Sequence, residues 1–327
     1  MTLPFDTIYS WENLSLAWHK VSLGKTRTTR IIDFYCNLDA NLASIAQDLR
    51  LGTYHPGPYR QFTIKDPKER IISAASVRDR VVQHALMNLY DPVFDRYQIF
   101  DSYACRRNKG TQKAILRAFH FAKSSPYFLK MDVRQYFNSI DHQILKNLVI
   151  KLVKDVPAVQ LFNTIIDANH ESSGKGVPIG NLTSQYFANH YLAIFDHYLK
   201  ERHSVKKYLR YMDDMLLFTD DKKALKALYT LAESFTQDTL CLEVKPPVIG
   251  STGDGAPFLG FLIKQKGIYL QQKSKKRYIT RLAEIEHHRL RGIFSEAEAG
   301  KRIESVTAHL LLARSRNCGR VLGHEPR

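Results

Sequence analysis

Two adjacent carboxylates, Asp213 and Asp214, follow Tyr211-Met212 and precede an apolar run, Met215-Leu216-Leu217-Phe218. With Lys207-Tyr208-Leu209-Arg210 leading in, the segment reads as strand, tight turn, strand. Asp is a poor strand residue and neighbouring carboxylates repel, so this turn is unfavourable unless a cation sits on it. By themselves these residues fit two explanations: a divalent ion held by hard carboxylate oxygens, or an ordinary Asp-rich turn. A third carboxylate, Asp132, ends another strand-like run, Tyr127-Phe128-Leu129-Lys130-Met131, 81 residues before Asp213. On neighbouring strands Asp132 and Asp213 would face each other and hold two metal ions roughly 4 Å apart, aligning an attacking oxygen with a phosphate. Nucleotidyl transfer requires such a site, because its chemistry is mostly alignment and charge stabilisation. Lys68, Arg70, Arg78 and Arg80 offer a clamp for a triphosphate, since guanidinium forks match phosphate oxygens; a surface charge run is the alternative.

The elements that must position these groups follow from periodicity and turn chemistry. Residues 11–50 read as two helices, one carrying Trp11, Leu14, Leu16 and Trp18, the other Leu38, Leu42, Ile45 and Leu49. Between them the basic loop Gly24-Lys25-Thr26-Arg27-Thr28-Thr29-Arg30 is either a phosphate contact or a solvated loop. After Pro56-Gly57-Pro58, strands at 59–64 and 71–73 flank a charged turn, and a helix from Ser76 turns Val77, Val81, Val82, Ala85 and Leu86 inward. Arg78, Arg80 and Gln83 point elsewhere. A helix opens at Ser139 or Asp141, and the glycine-punctuated loop 174–180 feeds a second from about Thr183 to Glu201. Beyond the Asp213-Asp214 hairpin come a helix at 222–238 and two strands, 240–245 and 257–263. This order predicts an α+β lobe around an antiparallel sheet.

Composition narrows the partners. The 327 residues suggest two or three lobes. With 48 Lys and Arg against 32 Asp and Glu, the net charge of +16 favours polyanions, nucleic acid before membrane. Residues 264–327 hold 15 Lys and Arg against 6 Glu, so more than half of that excess lies in the last fifth. There Ile279, Leu282, Ile285 and Leu290, then Ile303, Val306, Leu310 and Leu311, predict amphipathic helices with basic faces, suited to a nucleic-acid backbone. No stretch approaches the roughly 18 apolar residues of a spanning helix, and no signal peptide is evident. Cys36, Cys105, Cys241 and Cys318 lie far apart, which argues against zinc or a disulfide framework and for buried or incidental thiols in a reducing cytoplasm.

At this point the chain resembles a reverse transcriptase. Tyr211-Met212-Asp213-Asp214 matches the family's tyrosine-x-Asp-Asp signature, and Asp132 its first palm carboxylate, with Phe137 five positions on. Segment 68–86, the loop 176–185 and Phe258-Leu259-Gly260-Phe261, similar to a primer grip, extend the likeness. The resemblance implies a right-hand polymerase fold: an N-terminal helical extension (1–55), fingers (56–126), a palm of antiparallel sheet and helices (127–264, with a fingers insertion around 142–178) and a short basic helical thumb (265–327). It implies that Asp132, Asp213 and Asp214 are catalytic and hold two Mg²⁺ ions, or Mn²⁺ in their place, together with the Val133 carbonyl, Asp214 tuning more than ligating. It further implies that Lys68, Arg70 and Arg78 bind the triphosphate, Arg70 foremost. Phe137 would exclude a 2′-hydroxyl unless it is a core aromatic, and Ile179, Gly180 and Gln185 would line the nascent base pair. Lys245 would protonate the leaving pyrophosphate unless it is merely solvated.

Within the family, Ser184-Gln185 stands where group II intron and retron enzymes usually carry Ser-Pro. The Ile179-Gly180-Asn181-Leu182-Thr183-Ser184-Gln185 segment is similar to the reverse transcriptases of diversity-generating retroelements, as are Trp11-Glu12-Asn13-Leu14, Gly57-Pro58-Tyr59-Arg60 and Tyr103-Ala104-Cys105-Arg106. That likeness implies copying of a template-repeat RNA into cDNA with errors at adenines. The implied partners are template RNA, a primer, dNTPs and a small basic oligomeric accessory protein; no endonuclease or RNase H is expected. The implied setting is a bacterial or phage-encoded cytoplasmic enzyme. Another bacterial lineage of the family, or a non-catalytic RNA-binding protein on the same fold, are the competing expectations.

Overall fold

Ser10 accepts the Asn13 N–H and opens α1 (Trp11–Ser22), whose Leu14, Ala17, Trp18 and Val21 are buried at helical spacing. The computed structural model describes residues 4–25, 28–65, 69–168, 174–308 and 310–313. A two-helix reading of 11–50 is one helix short. α2 (Thr29–Cys36) takes up the end of the basic loop, and α3 (Leu38–Leu51) follows, stopped by Gly52 at φ +67°. α2 buries only Ile31, too little periodicity to be recognised in advance. β1 (Arg60–Lys65) and β2 (Glu69–Ala74) form an antiparallel ribbon, Arg60 opposite Ala74 and Lys65 opposite Glu69. α4 (Val77–Tyr97), capped by Ser76, buries the expected Val77, Val81, Val82, Ala85 and Leu86; it also buries Gln83, whose polarity had argued for another face.

α5 (Thr111–Ala122) precedes β3 (Tyr127–Asp132). Next come α6 (Tyr136–Ser139), α7 (His142–Leu152) with Asp141 as its cap, α8 (Val156–Asp167) and α9 (Leu182–His197). β4 (Tyr208–Tyr211) and β5 (Asp214–Thr219) make the hairpin, followed by α10 (Lys222–Leu240). The strand expected at 240–245 is absent: α10 runs to Leu240, and Val244 makes only an isolated bridge to Val133. The strand lies instead at β6 (Val248–Ser251). The single strand expected at 257–263 is two, β7 (Ala256–Phe258) and β8 (Phe261–Lys264), and β9 (Gly267–Leu270) completes that sheet. The break falls at Leu259-Gly260, with φ of +47° and +87°, a turn that no continuous strand can contain. α11 (Gln272–Leu290), α12 (Glu296–Thr307) and a last 3-10 turn (Leu310–Leu312) finish the described chain.

The chain divides into two units. One comprises residues 1–99, 134–198 and 235–243, and its core includes an aromatic cluster of Tyr90, Phe94 and Phe187 around Phe162. The other comprises 100–133, 199–234 and 244–327 and contains the central sheet, in the order β4-β5-β3-β6. There Phe128, Leu209, Leu216 and Phe218 pack with Ile115, Ala118 and Phe121 of α5 and with Phe258, Phe261 and Ile263. α11 and α12 share a much smaller core of Ile285, Ala299 and Val306. Ile279 and Leu290, expected on the buried face, are exposed, because two helices cannot cover a full apolar stripe on each. Among the described residues no helix is long and apolar enough to cross a membrane. Cys36, Cys105 and Cys241 are free and exposed rather than buried.

Candidate active site

β3 is a strand because Phe128, Leu129 and Met131 are buried between neighbours on both sides, and that burial holds Asp132 at its end. β5 runs antiparallel to it with Met131 opposite Met215 and Asp132 opposite Asp214. Tyr211 pairs with Asp214, so Met212 and Asp213 form a two-residue hairpin turn, with Met212 at φ +57°. The expected facing of Asp132 and Asp213 is thus displaced by one residue. Asp214 is the strand partner, and Asp213 sits on the turn beside it. The reason lies in the turn itself: a two-residue loop consumes Met212 and Asp213 and leaves Asp214 to open the strand.

Two lysines meet these carboxylates. Lys130, two residues before Asp132 on β3, places Nζ 3.2 Å from Asp214 Oδ2. Lys245 ion-pairs with Asp132 Oδ1, and its N–H donates to the Asp132 carbonyl at 2.9 Å. Asp214 Oδ1 is buried without a hydrogen-bond partner. Burial, with smaller contributions from Asp132 and Asp213, pushes the Asp214 carboxyl up to about 7, against the opposing pull of Lys130. The bridge between Val133 and Val244 is built from the Lys245 N–H to Asp132 O and Arg134 N–H to Glu243 O bonds, so it leaves the Val133 carbonyl out.

The hairpin is held from behind by residues whose roles the sequence did not disclose. Arg210 is fully buried, and its guanidinium donates to the Met212 carbonyl at 3.0 Å. Its backbone bonds to Asp101 and Tyr103 on the far side of β4. Asp101, also buried, accepts from Arg117 Nε at 2.8 Å and from Lys200 Nζ at 2.9 Å. Thr111 donates to the Tyr211 hydroxyl. The only advance signal was Tyr103-Ala104-Cys105-Arg106, singled out by likeness rather than by chemistry.

The remaining candidates lie in the other unit. Phe137, on α6, is half-buried, and its carbonyl accepts the Val177 N–H at 2.8 Å. The Ile179 carbonyl accepts from Ser73 N, which ties the glycine loop to β2. Gly180 is required where it stands: its φ is +112°, and a Cβ would lie 2.7 Å from Ile72 Cγ2. Gln185 is partly exposed in the first turn of α9, and Arg70 is exposed on β2. Arg78 is engaged: it ion-pairs with Asp48 and lies 5.1 Å over the Tyr54 ring. Lys68 lies outside the described residues.

All-oxygen donors at the end of β3 and the neighbouring turn suit a hard divalent cation, and the unpartnered Asp214 Oδ1 is an acceptor such an ion would satisfy. As placed, no three His, Cys, Asp or Glu side chains among the described residues form a metal-binding group. Asp132 and Asp214 are turned to Lys245 and Lys130 instead.

Comparison with known proteins bears on this geometry. Protein YkfC of Escherichia coli (strain K12) is 25% identical over 280 residues, which cover 71% of this chain and 74% of YkfC. The group II intron-encoded protein LtrA of Lactococcus lactis subsp. cremoris is 28% identical over 175 residues, 49% of this chain. The putative COX1/OXI3 intron 1 protein of Saccharomyces cerevisiae is 24% identical over 169 residues, again 49% of this chain. The match spans only 28% and 20% of the length of those two intron proteins. In fold, the chain is similar to apo telomerase from Candida tropicalis (TM-score 0.53, 10% identity, 89% of this chain and 64% of that one). It is also similar to telomerase from Candida albicans in complex with a fragment of telomeric RNA (TM-score 0.51, 11% identity, 84% and 57%). The model of the reverse transcriptase (RNA-dependent DNA polymerase) family matches residues 64–247, a span that holds all three carboxylates and both lysines. With more than half of its length inside that match and its α+β fold shared with telomerase, the chain belongs to the reverse transcriptase family.

Proposed function

We propose that this protein is an RNA-directed DNA polymerase that extends a primer by two-metal nucleotidyl transfer. One observation carries the reading: Asp132 and Asp214 are strand partners at the end of an otherwise apolar, buried sheet, with Asp213 on the adjoining turn. Stability gives no reason to gather such charge there. Mg²⁺, with Mn²⁺ as substitute, is the proposed ion, and when bound it would supply charge stabilisation at the reacting phosphate. Asp132, Asp213 and the Val133 carbonyl are its principal proposed ligands, while Asp214, paired with Lys130 and offering its unpartnered Oδ1, tunes the site more than it ligates. Lys245, released from Asp132, is the proposed proton donor to the departing pyrophosphate. Arg70 and Lys68 are assigned to the triphosphate ahead of Arg78, which Asp48 already engages. Phe137 is proposed to exclude the 2′-hydroxyl, and Ile179, Gly180 and Gln185 to line the nascent base pair. Fingers at 56–126, palm at 127–264 and thumb at 265–327, behind an extension at 1–55, are the proposed divisions.

The finer reading is a polymerase of a diversity-generating retroelement, copying a template-repeat RNA with errors at adenines alongside a small basic accessory protein. The Ser184-Gln185 likeness supports it, as does apolar bulk at Ile179, which discriminates base-pair shapes weakly. The likeness to an intron-encoded protein favours a second reading, another bacterial lineage of the same family. Primer extension on RNA with dNTPs and Mg²⁺, with Asp213→Ala as control and the products sequenced, tests both. No extension by the unmodified protein with its RNA and partner rejects the polymerase. Faithful copying of adenines rejects the mutagenic subtype.

A further inference from the structure

The polymerase reading leaves a second group of cations unused. Lys25 after α1, Arg30 in the first turn of α2, Arg60 at the start of β1 and Arg80 on α4 line one cavity of about 440 Å³ with Thr28 and Thr29. Among the described residues no carboxylate lines it. Asp33 lines only the adjoining cavity of about 560 Å³, which shares Arg30, Arg60 and Arg80. Other carboxylates nearby are already engaged: Asp48 by Arg78, and Asp79 by Tyr54, Ser76 and the Gly57 N–H. Arg80 Nε is buried with no hydrogen-bond partner. Burial first, then Arg30 and Arg60, hold the Arg80 guanidinium below its ordinary range. The same field reaches His84, pushed down to about 4 by burial and then by Lys20, Lys25 and Arg80. Like charges gathered in this way oppose folding, so the cluster calls for an anion that the described residues do not supply.

Charge density and geometry select the class of anion. A passing strand offers phosphates with one charge each, spread along its backbone. A polyphosphate concentrates its charge in one linked group, and guanidinium forks take such oxygens two at a time. The Thr28 hydroxyl donates to the Lys25 carbonyl and caps no N–H. The Ile31 and Ile32 N–H groups go to the Thr28 carbonyl, which leaves those of Thr29 and Arg30, with the positive end of the α2 dipole, for a ligand. We propose that this cavity is a polyphosphate site, built from residues other than those of the carboxylate cluster, which takes the triphosphate of a nucleotide, either free or as the 5′ end of an RNA.

The test uses the full chain in EDTA, where nucleotide binding that needs a divalent ion is silent. Inorganic tripolyphosphate is titrated by calorimetry into the unmodified protein, Asp213→Ala and the double variant Arg30→Gln/Arg60→Gln. Both arginines are exposed, so folding is preserved; Arg80→Lys provides a second variant, and melting curves check each. Saturable binding is expected, unchanged in Asp213→Ala and weakened about tenfold or more in the double variant. In a second arm, two RNAs of one sequence, 5′-triphosphorylated and 5′-hydroxyl, are compared by anisotropy, with GTP as competitor. A preference of about fivefold for the triphosphorylated RNA, lost in the double variant, supports an RNA end as the source. Displacement of tripolyphosphate by GTP supports a free nucleotide. Absence of saturable tripolyphosphate binding, or equal weakening of both RNAs by the double variant, overturns the proposal; the latter would mean a backbone contact. Primer extension by the same preparations reports on the polymerase reading independently.

Discussion

Asp214 is a carboxyl group held up to about 7 from an ordinary 3.8, chiefly by burial. Between those values the folded chain keeps a proton that the unfolded chain has lost, so stability falls as pH rises through the window and the loss is complete above it. In EDTA, melts at pH 5 and pH 8 are expected to show this decline, and Asp214→Asn to flatten it; an equally steep decline in the variant would assign it elsewhere. In extension assays Asp132→Ala and Asp213→Ala are each expected to cut the rate by about 10³ or more, and Asp214→Asn by markedly less. Equal losses at all three would show Asp214 to be a full ligand. Gly180→Ala must place a Cβ 2.7 Å from Ile72 Cγ2 at φ +112°. We expect it to destabilise by roughly 1–3 kcal/mol in urea unfolding, with partial recovery in the Ile72→Ala background.

At the scale of elements, the hairpin of β4 and β5 depends on the charge cluster behind it. Asp101 is buried between Arg117 and Lys200, and its removal leaves two cations uncompensated. Asp101→Ala is therefore expected to cost roughly 3–5 kcal/mol in urea unfolding, while a cost below about 1 kcal/mol would show that the cluster does not hold the hairpin. β3, β5 and the α9 helix were legible in the sequence, because unbroken apolar runs such as Met215-Leu216-Leu217-Phe218 allow few alternatives. The short α2, the strand at Val248–Ser251 and the split at Leu259-Gly260 were not. Val248 and Ile249 are exposed, and pairing with β3 rather than pattern makes that segment a strand. For the site, residue types were legible but pairing was not: whether Asp213 or Asp214 opposes Asp132 depends on the length of one turn. Arg210 and Asp101 were illegible because a charged residue looks exposed until its partners are known.

For the whole molecule, the +16 charge governs the salt dependence expected of the proposed RNA partner. A single strand whose phosphates replace about six counterions should bind 10²–10³-fold more weakly at about 200 mM salt than at about 50 mM. Anisotropy titrations across that range check this, and a flat response would mean that the basic surface is not the contact. The charge is unevenly supported, however. α11 carries six Lys and Arg against two Glu, and with α12 it rests on a core of three buried residues, far smaller than the one beneath the central sheet.

The segment 101–103 has one more effect, which concerns crowding rather than chemistry. β4 is the outermost strand on its side of the four-stranded sheet, and Arg210 on it is bonded through both N–H and carbonyl to Asp101 and Tyr103. An outer strand normally offers its backbone to any extended chain that drifts alongside, which is how sheets from separate copies fuse into aggregates. Here the groups at the middle of β4 are already taken by the protein's own backbone. The strand leading into the acidic turn is thereby closed to strand addition along that edge.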